Sequence, residues 1–189
     1  MLAAALMVTI KVYDIYGLSA STRQEALAVA ASTLEHAGVQ AIIVDCSSRL
    51  AATPCKTGLA DGEIILRIHR YPKDGAHVLG EAIVRGASGP NTVATVYAAA
   101  IAERARRDGT SLATIVGRVS AHEIGHLLLG ANSHSLHGLM RPKWDVTRAG
   151  ADDWLFSSVD ADTIRHNLAA RSATRSAAAI GDIFEELGD

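Results

Sequence analysis

Ala121-His122-Glu123-Ile124-Gly125-His126-Leu127 holds an H-E-x-x-H run inside an apolar stretch, and it constrains this chain more than any other segment. Residues four apart on an α-helix share a face. A helix here therefore points the imidazoles of His122 and His126 at one place. Two converging neutral imidazoles suit Zn2+, and a catalytic zinc takes three protein ligands and leaves a fourth position for water. Glu123 adjoins the first histidine, where a carboxylate can take a proton from that water without being a ligand. Upstream, Leu112, Ile115 and Val119 follow helical spacing on the same side, so the histidines extend a core-facing stripe. Gly125 costs about 1 kcal/mol relative to alanine inside a helix, which predicts a packing reason for it. Gly130 predicts the helix end.

The residues from Gly130 to Pro142 add a second pattern, with His134-Ser135 followed by Leu139-Met140-Arg141-Pro142. Together with H-E-x-x-H, this tail resembles the metzincin clan of zinc metallopeptidases, and its matrixin branch most. The clan motif reads H-E-x-x-H-x-x-G-x-x-H and is followed by a methionine turn. The resemblance implies His122, His126 and His134 as zinc ligands, Glu123 as general base and Met140 beneath the metal. It also implies a peptide or protein substrate, hydrolysed by an activated water without a covalent intermediate. Such a substrate lies extended along an edge strand, with Pro142, Lys143 and Trp144 walling the pocket beyond the scissile bond.

The spacing departs from the clan pattern. Gly130 stands four residues after His126, His134 stands eight after it, and Asn132 occupies the nominal third-ligand position. His137 is a rival third ligand, and an acidic one such as Asp145 or Asp152 would be gluzincin-like. A non-catalytic, zinc-stabilised peptide-binding domain is the reading from another class. Pro142 stands where some branches carry a tyrosine two residues after the methionine, and no latency segment with a metal-binding cysteine is present.

The 189 residues suffice for a single domain with a sizeable core. The expected division is an N-terminal subdomain of about 8–130, a C-terminal subdomain of about 131–170 and a tail of 171–189. Aromatic residues make up only 4%, so alanine and β-branched residues must fill much of the interior. A net charge of −2 gives no footprint for nucleic acid or an anionic membrane. No apolar run reaches transmembrane length, and the chain is expected to act as a monomer. Cys46 and Cys55 flank one connection between predicted strands and are expected to pair, placing the protein in an oxidising compartment, secreted or at the cell envelope. The alternative is two thiols in a cytosolic protein. Met1 to Met7 is apolar and lacks a basic residue, which fits either a remnant of a signal peptide or the run into the first strand.

Hydrophobic periodicity predicts an α/β (α+β) chain with a mixed sheet of about five strands. Val8 to Tyr13 alternates as a half-buried strand. A helix follows from Ser19–Thr22, with Thr22 and Glu25 as a capping box, and ends at Gly38. Val39 to Asp45 reads as a central strand covered on both faces. Glu63 to Arg70, His77 to Arg85 and Thr92 to Tyr97 complete the sheet, the glycine-bearing 77–85 segment as an edge. Lys73 to Ala76 and Gly86 to Asn91 are connections. Ala98 to Arg107 reads as a helix whose Glu103, Arg104, Arg106 and Arg107 face solvent. The H-E-x-x-H helix starts near Ser111, a last helix spans Ala161 to Ala170, and the Ala-rich tail from Arg171 reads as either a marginal helix or disordered. His36, His69, His77 and His166 read as surface or satisfied core residues.

Overall fold

A computed structural model describes residues 6–48, 53–60, 62–72, 78–85, 92–144 and 150–186, with side chains described as far as residue 174. Among these residues, five strands and four α-helices follow in the order β1 (Leu6–Asp14), α1 (Ala20–His36), β2 (Val39–Asp45), β3 (Glu63–His69), β4 (Gly80–Ile83), β5 (Val93–Tyr97), α2 (Ala98–Asp108), α3 (Leu112–Leu129) and α4 (Ser158–Glu186). They form a mixed α/β fold around one sheet of order β2-β1-β3-β5-β4. β1, β2, β3 and β5 are parallel, and only β4 runs antiparallel, along β5. The expected edge strand is therefore an edge, but it is shorter than 77–85. His77 and the connections at 73–76 and 86–91 lie outside the described residues.

The core forms on one face of the sheet. Val8, Ile10 and Val12 of β1, Ile64, Leu66 and Ile68 of β3, and Ala94 and Val96 of β5 are all buried. Their period of two puts them on a common side, and α1 and α3 pack against it and against each other. The two helices approach closely at Gly117, where a Cβ would stand 2.5 Å from the Ala26 carbonyl oxygen. Each buried aliphatic side chain contributes about 1.5–3 kcal/mol.

Two expectations are corrected here, and one buried charge is added. β2 is an edge strand rather than a central one, and Ile42 is 42% exposed. Helix α1 is capped one turn earlier than the Thr22–Glu25 box: the Ser19 hydroxyl accepts from the Thr22 amide at 3.1 Å. Lys11, on the polar side of β1, is only 2% exposed. Its ammonium lies 2.7 Å from the Glu63 carboxylate and donates to the Gly58 carbonyl at 3.1 Å. Burying a lysine demands such partners.

Cys46 and Cys55 form a disulfide, with Cα atoms 5.4 Å apart. It closes a short loop, and the Tyr13 hydroxyl of β1 donates to the Cys55 carbonyl at 3.5 Å. A loop of this length predicts about 2–3 kcal/mol of stabilisation through restriction of the unfolded chain. Replacing both cysteines by serine is expected to lower unfolding free energy by about that amount in urea titrations, with the packing of residues 122–134 unaffected.

The last helix is much longer than Ala161–Ala170. It begins at Ser158 and continues to Glu186, because the alanine-rich segment after Arg171 carries no glycine or proline before Gly181 to stop it. Its first half is functional to the fold. Asn167 donates to the carbonyls of Leu128 and Leu129, and Arg171 to that of Leu127. These are the last-turn carbonyls of α3, which have no intrahelical donors. Among the described residues, no helix is long and apolar enough to cross a membrane.

Candidate metal centre

Helix α3 starts at Ser111, whose hydroxyl accepts from the Thr114 amide at 3.4 Å, and its last two turns are buried. His122, Glu123 and His126 are all under 8% exposed. The helix stops at Gly130, which takes a left-handed φ of 70°. This conformation is costly for any residue with a Cβ. The turn it makes sends the chain back, so the Ala131 carbonyl accepts from Nδ1–H of His126 at 2.9 Å. Nδ1–H of His122 donates to the Leu139 carbonyl at 2.9 Å.

Those two bonds fix the chemistry of the pair. A carbonyl can only accept, so each Nδ1 carries the proton and each Nε2 presents a lone pair in the neutral ring. The two Nε2 atoms face each other at 3.1 Å. Burial pushes the His122 pKa down to about 4, against the raising effect of its bond to Leu139 and with help from His126 and His134. Burial likewise lowers that of His126. Neither ring is protonated near neutral pH, and two lone pairs at that distance repel unless a cation sits between them. His134 completes the cluster. One nitrogen from each of His122, His126 and His134 lies within 4.8 Å of the other two. His134 stacks on His122 at 5.4 Å and meets His126 edge-on at 5.0 Å between ring centroids. Two neutral imidazoles with backbone-fixed tautomers and the ring of His134 beside them fit a zinc ion, by donor type and, for His122 and His126, by outer hydrogen bonding.

The rival ligands stand elsewhere. His137 lies with Asp152 and Asp153 around a shallow depression lined by Leu155, Phe156 and Ser157, separate from the three-histidine cluster. Asp145 lies outside the described residues. Asn132 lines the cleft beside His134.

The segment after His134 is held from below. The Ser135 hydroxyl donates to both oxygens of the buried Asp160 carboxylate at 2.8 and 2.9 Å, and the Ser157 hydroxyl donates to Asp160 at 2.7 Å. The Ser135 amide donates to the Met140 carbonyl, and the Leu139 amide to the Leu155 carbonyl. Met140 is fully buried. The packing reason expected for Gly125 is found here: a Cβ would lie 2.7 Å from Met140 Sδ and 2.7 Å from Phe156 Cε1. Helix and loop touch only because residue 125 has no side chain.

Glu123 points into a cleft of about 700 Å³ between β4, α3 and residues 141–144. Burial, with a smaller contribution from the Glu81 charge, raises its pKa to about 8. Trp144 walls the cleft: its indole N–H donates to the Leu139 carbonyl at 3.0 Å, and its ring meets His122 edge-on at 5.2 Å. Arg104 also lines the cleft, which corrects its assignment to a solvated face. It bonds Asp108 and donates to the Trp144 carbonyl at 3.0 Å, tying α2 to the cleft wall. Helical spacing alone could not reveal that partner, because it lies 40 residues away.

The metal-free protein should show two opposed pH limbs. The His122 pKa is depressed from 6.5 to about 4, so its contribution to stability is full above pH 6.5 and lost as pH falls through about 4. The Glu123 pKa is raised from 4.5 to about 8, so its contribution is full below pH 4.5 and lost as pH rises through about 8. Denaturant unfolding under chelator is expected to peak between these limits, and Glu123→Gln should flatten the alkaline limb. Identical alkaline limbs in the two proteins would contradict the buried carboxyl.

The sheet order and the helices packed on it make a mixed α/β fold similar to that of archaemetzincin-type zinc peptidases. In particular, the chain is similar to archaemetzincin from Methanopyrus kandleri, with a TM-score of 0.57 and 13% identity over 89% of this chain and 99% of that one. It is also similar to metalloproteinase-II from Bacteroides fragilis, with a TM-score of 0.52 and 14% identity over 87% of this chain and 54% of that one. At these identities the likeness is one of fold. No protein-family model matches the sequence, and no curated protein matches it.

Proposed function

We propose that this protein is a zinc-dependent metalloendopeptidase in which His122, His126 and His134 hold the metal and Glu123 carries the proton. One observation supports this reading above the rest: two buried imidazoles, each committed through Nδ1 to a backbone carbonyl, bring their Nε2 atoms to 3.1 Å with His134 alongside and Glu123 in the same cleft. A folding role alone does not need that carboxyl. The fold's likeness to an archaemetzincin and a metalloproteinase agrees with it.

When bound, zinc supplies a water of lowered pKa and a Lewis acid for the scissile carbonyl. The residues supply the rest. A nearby dication reverses the effect of burial on Glu123 and favours its carboxylate. The carboxylate then accepts one proton from the attacking water and delivers it to the leaving amine nitrogen as the C–N bond breaks, so it ends as it began. The burial of His122, Glu123 and His126 strengthens each charge interaction among them. Edge strand β4 borders the cleft, and among the described residues no strand pairs with its outer edge, which suits an extended peptide by strand addition. Met140 supports the histidines from beneath, and Pro142, Lys143 and Trp144 wall the far side. The whole chain serves as one catalytic domain acting as a monomer. The Cys46–Cys55 disulfide supports an oxidising compartment, secreted or at the cell envelope.

The test is cleavage of a mixed peptide library by the purified chain, read by mass spectrometry. Internal cleavage that stops under chelator and returns with zinc is expected. A zinc-loaded chain that cuts nothing, or cleavage indifferent to chelator, would overturn the reading.

A further inference from the structure

Gly80 opens β4 and has no backbone reason to be glycine. It is absent from the positive-φ glycines, so its conformation is open to ordinary residues. Glycine inside a strand costs entropy and gives up packing, and it often marks a close approach by another group. The approaching group here is Glu123. A Cβ at position 80 would stand 2.7 Å from Glu123 Cγ, 2.7 Å from Glu123 Oε1 and 2.9 Å from Val119 Cγ1. Position 80 pairs with Val96, which belongs to the buried face, so any side chain there would project onto α3.

We propose that Gly80 is a positioning residue: its missing side chain lets the edge strand close over α3 while leaving Glu123 the volume its carboxyl occupies. The inference rests on the reading of Glu123 as the proton carrier.

Which partner would yield to a methyl group follows from stiffness. β4 is held by its antiparallel ladder with β5 and by the Tyr97 amide donating to the Leu79 carbonyl at 2.9 Å. Val119 is β-branched on a helix and is limited to essentially one χ1 rotamer. The Glu123 side chain turns about three single bonds and is the softest of the three. A methyl at position 80 therefore displaces the carboxyl, and a displacement of about 1 Å in a reacting group costs roughly 10²-fold in rate.

The experiment compares the zinc-loaded parent with Gly80→Ala by crystallography, by zinc content and by steady-state kinetics on a cleaved peptide. The expected result is β4 in place, the Glu123 carboxyl moved by about 1 Å or more, zinc retained, kcat down roughly 10²-fold and KM nearly unchanged. Gly58→Ala, where a Cβ meets nothing within 4 Å, should match the parent. Outward movement of β4 with Glu123 unmoved would overturn the proposal, as would an unchanged kcat. Val119→Ala combined with Gly80→Ala removes the 2.9 Å contact and leaves those to Glu123. Recovery of parental kcat in that double variant would assign the effect to Val119 and also overturn it. A parent without hydrolysis would sink the peptidase reading instead, and the two crystal structures would still decide the positioning.

Discussion

Glu123→Gln is expected to lower kcat by roughly 10²- to 10⁴-fold, the span that a positioned general acid–base group contributes. Glutamine keeps the shape and volume of the side chain, so the packing against Gly80 and Val119 survives. It loses the one property required, the capacity to take a proton and return it. Three histidines remain to hold zinc, so metal content should stay at the parental value. The metal-free variant should be at least as stable as the parent at neutral pH, because a neutral amide replaces a carboxyl that burial already forces towards its neutral form. Kinetics and metal analysis on the same preparation check both halves. A parental kcat in this variant would remove Glu123 from the chemistry.

Withdrawing zinc is expected to cost stability as well as activity. A ligand that binds only the folded state stabilises by RT ln(1 + [L]/Kd), about 4 kcal/mol when free zinc stands a thousandfold above Kd. For chains of 150–250 residues, 1 kcal/mol corresponds to roughly 2–4 °C in Tm. A strong chelator should therefore lower Tm by about 8–16 °C, and zinc should restore it. The size of this shift follows from the site's construction. Without metal, the two Nε2 lone pairs at 3.1 Å repel, and neither ring can turn away without breaking its Nδ1 bond to Leu139 or Ala131. Differential scanning calorimetry with and without chelator measures the shift. A Tm independent of zinc would contradict a site built around the ion.

Local signals in the sequence were faithful where the structure is local. Helix α3, its Ser111 start and its Gly130 stop depend on residues within a few positions of each other, so pattern alone located them. The same holds for the His122–His126 face and for the succession of β1, α1 and β2 along the chain. The Cys46–Cys55 bridge was legible because both residues flank one short connection. Features decided by long-range partners were not legible. β2 carries an apolar run but ends at the sheet edge, because strand order is settled by pairing across the whole chain. The burial of Lys11 depends on the 53–60 loop and Glu63 meeting it. Arg104 fits an exposed helical face until Trp144 arrives from 40 residues on. Gly80 gave only a weak sign, a glycine in a strand, whose meaning depends on Glu123 facing it. At the metal centre the altered spacing after His126 left the third ligand open. The Gly130 turn and the Asp160–Ser135 anchor bring His134 back to the pair, and neither interaction is visible in a motif.

The most direct test of the central claim is an anomalous-scattering map at the zinc edge from crystals of the zinc-loaded chain. The account predicts one peak per chain, about 2.0–2.1 Å from a nitrogen of each of His122, His126 and His134. A peak bound by His137 or an acidic residue in place of His134 would contradict the ligand set. No peak at His122 and His126 under zinc-replete conditions would contradict the metal centre itself.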